Sequence, residues 1–101
     1  MSNQSDRPTD QRSDVTFTVR AQPTPDVLLR VLDVFARRNL VPERWASLRT
    51  GPERAHLVFE IEIADMAEPV AERIAASMRQ IVNVDSVVAS CVSGRAAAVQ
   101  R

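Results

Sequence analysis

Few residues in this chain have side chains that could do chemistry, and they are scattered. His56 is the only histidine and Cys91 the only cysteine. Neither has the neighbouring ligands a metal site needs. Cys91 lacks a partner histidine or a flanking positive cluster to make it a nucleophile. In an apolar strand such a thiol is expected to behave as a small buried hydrophobe. Glu60 and Glu62 lie on one face of an alternating segment, about 7 Å apart by strand geometry. Paired carboxylates can serve general acid–base chemistry, but a solvated or arginine-bridged strand face accounts for them more simply. Arg37, Arg38 and Arg44 suggest a basic patch. Trp45, a large aromatic next to a helix exit, fits core packing and interface anchoring equally well.

These residues need elements to position them, and the elements are readable. Val15, Phe17, Val19 and Ala21 alternate with Thr16, Thr18 and Arg20, which predicts a half-buried strand. A helix opens next, with Thr24 as N-cap, Pro25 in the first turn and Asp26 at the positive end of the dipole. Val27, Leu28, Val31, Leu32 and Phe35 form its expected inner stripe. Asn39 is placed to end it in a left-handed turn, with Leu40 folding back. Residues 43–50 and 56–63 read as a hairpin around Gly51-Pro52-Glu53, the second strand alternating Leu57, Phe59, Ile61 and Ile63 against Val58, Glu60 and Glu62. Asp65 and Glu68 suggest a capping box for a second helix. Its stripe runs through Ala67, Val70, Ala71, Ile74, Ala75, Met78 and Ile81. A last strand, rich in β-branched residues, runs from about Val82 to Cys91. The order is βαββαβ, an α+β ferredoxin-like sandwich: an antiparallel sheet with two helices on one face. Residues 1–13 and 93–101 are expected to be loose tails around a single domain spanning 14–92.

Composition narrows the function classes. The chain has 101 residues, 45% of them hydrophobic, enough for one small core. Two helices cover one face of such a sheet, so pairing the other face with another chain is an expected remedy. Thirteen basic residues, all arginine, balance thirteen acidic ones. No net field attracts nucleic acid, and the first and third strands each offer one aromatic where an RNA-reading sheet needs several. Gly51 and Gly94 are the only glycines, too few for a phosphate-binding loop. Metal-transport domains of the same element order carry a Cys-x-x-Cys in the first loop, where this chain has Thr24-Pro25. No apolar run approaches a membrane span. The polar N-terminus is unlike a signal peptide, so a soluble cytoplasmic protein is expected.

The first strand, the helix after a proline-containing loop, its Arg37-Arg38-Asn39 end and the late Ile81-Val82-Asn83-Val84-Asp85-Ser86-Val87 segment together resemble an ACT domain. The match is nearest to the short regulatory small subunit of acetolactate synthase, over about Val15 to Cys91. That resemblance implies a non-catalytic accessory subunit without cofactor or metal. It implies a homodimer with its sheets joined side by side or face to face, and a catalytic acetolactate synthase subunit as partner. A branched-chain amino acid is the implied effector. The implied effector and interface loop is Gln22, Thr24, Pro25, Asp26 and Val27, where helix amides can meet a carboxylate. Trp45, Arg44 and Asn39 are implied candidates for the subunit interface. Asp26 departs from the glycine the family favours at its position, and its charge would repel a carboxylate effector. Activation of a catalytic subunit is therefore expected over feedback sensing. The other reading is a free-standing ACT-like amino-acid sensor.

Overall fold

The computed structural model describes residues 12–92. The tails expected at either end therefore lie outside the described residues, apart from Arg12 and Ser13, which belong to the first strand. The elements are β1 (Arg12–Ala21), α1 (Pro25–Ala36), β2 (Arg44–Thr50), β3 (His56–Ala67), α2 (Glu68–Arg79) and β4 (Val84–Val92). One antiparallel sheet has the order β2-β3-β1-β4, with β2 and β4 at its edges. The expected βαββαβ order and ferredoxin-like architecture are what the chain adopts.

Period-two alternation sets the core. Val15, Phe17, Val19 and Ala21 of β1 and Leu57, Phe59, Ile61 and Ile63 of β3 are buried on the helix side of the sheet. Val27, Val31 and Phe35 of α1 and Ala71, Ile74, Ala75 and Met78 of α2 close over them. Phe17 and Phe35 meet edge to face, with ring centroids 5.6 Å apart and planes at 66°. Trp45 packs on Phe59 at 5.3 Å between centroids, and Leu40 folds back against the core after Asn39 (φ 59°).

Four local expectations need correction. Thr24 occupies the N-cap position with extended backbone, but its side chain makes no capping hydrogen bond. Asp65 does not cap α2. The β1–β3 ladder continues through Ser13↔Met66 and Arg12↔Ala67, so Asp65 lies inside β3 in a left-handed conformation (φ 55°). Arg12 holds it there, donating to its carboxylate at 3.0 Å and its carbonyl at 2.7 Å. Ala67 becomes the N-cap of α2, again without a side-chain cap. Leu32 is 42% exposed rather than inward, because α1 centres its buried face on Val27, Val31 and Phe35. Finally, β4 begins at Val84, since Asn83 (φ 78°) turns the chain after α2.

Candidate functional site

The β1–α1 junction is the first candidate. Gln22 N–H donates to Asn83 O (2.8 Å) and its side-chain amide donates to both Asp85 carboxylate oxygens (3.3 and 3.1 Å). The loop is thereby tied to the start of β4. Thr24 N–H donates to Gln22 O, and Val27 N–H to Thr24 O. Pro25 and Asp26 are exposed, and Val27 is buried in the core. The Asp26 carboxyl is held below its ordinary range, first by the nearby Thr24 hydroxyl and then by Arg30, whose Nε lies 3.3 Å away. Thr24 Oγ1 itself is buried and meets no partner at hydrogen-bond geometry, so the contact on the carboxylate that the geometry shows is the one with Arg30. Asp26 therefore places one carboxylate in the first turn of α1, and Asp85 places a second against Gln22 of the same loop. The electrostatics oppose the anion that such an end otherwise attracts.

The helix flank is the second candidate, and sequence reasoning missed it. An apolar groove of about 620 Å³ is lined by Leu29, Leu32, Phe35, Ala36, Leu40, Val41 and Pro42, with Arg30 and Asp33 at its rim. Leu29 is 69% and Val41 85% exposed. Val34 and Arg38 occupy the opposite flank of α1, where Arg38 donates to Val34 O and Ser77 Oγ, both 3.0 Å away. The only signal in the sequence was Leu29 standing outside the inner stripe.

The other residues singled out from the sequence fall in three places. Trp45 is partly buried on the helix side of β2, its indole N–H donating to Ser47 Oγ at 3.3 Å. Arg44 lies across the sheet on its uncovered face, 3.8 Å from Glu60 and 4.0 Å from Glu62, so both carboxylates have a cationic neighbour rather than a catalytic pairing. Asn39 is exposed at the end of α1, away from the Gln22–Val27 loop in sequence and in the fold. His56 is partly buried against the turn at Gly51. Cys91 is exposed instead of buried, because β4 is an edge strand. Partial desolvation, then Glu68 and Glu72, push its thiol above the ordinary range, which disfavours the reactive thiolate. Among the described residues no group of three His, Cys, Asp or Glu could hold a metal ion. No described helix is long and apolar enough to cross a membrane.

Fold and site together define an α+β module whose distinctive features are surfaces and a tied loop. Residues 8–95 match the ACT-like domain model, and the chain belongs to that family. Domains of this kind are generally regulatory or ligand-sensing. The ACT domain of the Chlorobium tepidum GTP pyrophosphokinase is similar in structure, with a TM-score of 0.65 and 6% identity over 78% of this chain and 99% of that one. An uncharacterized Thermotoga maritima protein superposes with a TM-score of 0.66, at 8% identity over 82% and 100% of the two chains. The C-terminal domain of MgtC from Mycobacterium tuberculosis gives 0.64, at 9% identity over 92% and 95%. At such identities these likenesses concern the fold alone. No curated protein matches the sequence.

Proposed function

We propose that this chain is a non-catalytic regulatory subunit that acts by docking on the catalytic subunit of acetolactate synthase, in branched-chain amino-acid synthesis. Family membership supports the regulatory class. The likeness of the first strand–helix unit and of residues 81–87 to the short small subunit supports the particular partner. The observation that carries docking is the uncovered face of the sheet. Both helices lie on the other side, and Leu48 and Val88 project from the open face at 64% and 56% exposure. Thr16, Thr18, Arg20, Arg44, Glu60 and Glu62 share that face by register. A surface mixing exposed aliphatics with paired charges suits a protein partner. Docking that favours the active arrangement of the larger enzyme raises its activity by a population shift.

The test is to mix the purified chain with the catalytic subunit of the same organism. Co-elution on size exclusion and a rise in acetolactate formation are expected. Separate elution with unchanged activity would remove the proposal. One observation favours a second reading, an amino-acid sensor: the buried, unpartnered Thr24 hydroxyl beside the helix N-terminus. Calorimetric titration with valine, leucine and isoleucine decides between them. The two carboxylates at the loop predict no heat of binding by the isolated chain, whereas saturable heat would favour the sensor.

A further inference from the structure

Arg37, Arg38 and Arg44 suggest one basic patch in the sequence, but the fold divides them. Arg44 lies on the uncovered sheet face beside Glu60 and Glu62. Arg37 and Arg38 instead join Arg30 along a cleft of about 390 Å³ between α1 and the end of α2. Val34, Ile81 and Val82 supply its apolar wall, and Val82 is 75% exposed. The volume falls within the range of small-ligand sites. The three guanidinium groups differ in what holds them. Arg30 lies 3.3 Å from Asp26 and Arg37 2.6 Å from Asp33, each through Nε. Arg38 has no carboxylate partner among the described residues. It donates to Val34 O and Ser77 Oγ, both at 3.0 Å. These acceptors are neutral, so they fix the guanidinium between the helices without cancelling its charge.

We infer that this cleft binds a small organic oxyanion: a carboxylate or phosphate on a short aliphatic body. Arg38 takes the charge. Its bonds to Val34 and Ser77 use two N–H groups and leave the rest of the guanidinium fork for an anion's oxygens. The Ser77 hydroxyl accepts from Arg38 and keeps its own proton to donate, and the Gln80 side chain lines the same cleft as a further donor. Because the arginine is already held, less side-chain freedom is lost when an anion arrives. The aliphatic body lies on Val34, Ile81 and Val82, where covering exposed apolar surface adds to affinity. The charges also select against other ligands. A free cation meets three guanidinium groups, and a zwitterionic amino acid brings its ammonium toward Arg30 and Arg37 along with its carboxylate. The cleft shares no lining residue with the Gln22–Val27 loop or with the open sheet face, so the inference stands apart from the enzyme the module serves.

Amide NMR titration of the full chain tests this with butyrate, butyl phosphate and inorganic phosphate as probes. Saturable shifts centred on Ser77, Gln80, Ile81 and Val82 are expected with butyrate or butyl phosphate, and whichever binds more tightly names the anion. Arg38→Gln should weaken binding roughly tenfold or more, as loss of a charge-assisted hydrogen bond does. Arg38→Lys should recover part of it, since the charge returns without the fork. Val82→Ser, at an exposed position that puts no core packing at risk, should weaken butyl phosphate and leave inorganic phosphate unchanged. Absence of saturable shifts with all three probes would overturn the proposal. So would binding that Arg38→Gln does not move, or butyl phosphate binding indifferent to Val82→Ser. Shifts lost in about 0.15 M sodium chloride, where exposed charges are screened, would mean an adventitious ion only and would overturn it too. Because none of these measurements involves acetolactate synthase, their failure is distinguishable from failure to dock.

Discussion

At the scale of single residues, Asp26 and Gly51 make the sharpest claims. Thr24 and Arg30 both favour the ionised form of Asp26, so its folded pKa lies below its unfolded value. A lowered carboxyl pKa stabilises the native state above the unfolded pKa, and that contribution fades as pH falls through the folded value. Carbon-detected NMR titration should show Asp26 titrating below an ordinary aspartate. Arg30→Gln removes the guanidinium that lies 3.3 Å from the carboxylate and should raise its midpoint. An unchanged midpoint in that variant would contradict the arrangement. Gly51 is required by geometry: its φ is +82°, and an added Cβ would stand 2.8 Å from Cδ2 of His56. Gly51→Ala is expected to cost about 1–3 kcal/mol by thermal or denaturant unfolding, because a ψ of 176° at this φ is a conformation essentially reserved for glycine. Gly51→Asn should not be milder, since the left-handed helical region that Asn tolerates lies at a much smaller ψ.

At the scale of elements, the β3–β1 pair with its aromatic neighbours carries the stability. Phe59 is fully buried and packs against Trp45, so Phe59→Ala should lose about 3–5 kcal/mol in a denaturant melt. That is a large share of the total for a domain this size. The same elements were the legible ones. Alternation in residues 15–21 and 57–63 and the spacing of Val27, Val31 and Phe35 report burial directly, because each depends on one strand or one helix facing one core. What was not legible depends on a partner element far away in sequence. The Asp65–Glu68 spacing is locally a good capping box, yet Arg12 and Ser13 extend the ladder and draw Asp65 into β3. Leu32 reads as an inner residue until α2 settles on one flank of α1 and leaves the other open. The loop at Gln22–Val27 was found in sequence, but its tie to Asp85 spans 63 positions and has no local signal.

At the scale of the whole molecule, the open sheet face is the surface proposed to meet the larger enzyme, and the apolar flank of α1 lies on the other side of the sheet. Val88 is 56% exposed and on the uncovered face, so Val88→Lys removes no core packing. It should leave a denaturant melt unchanged while weakening co-elution with the catalytic subunit. Val41 is 85% exposed on the α1 flank, and Val41→Asp should co-elute as the unsubstituted chain does. Loss of co-elution with Val41→Asp and not with Val88→Lys would move docking from the sheet face to the helix flank.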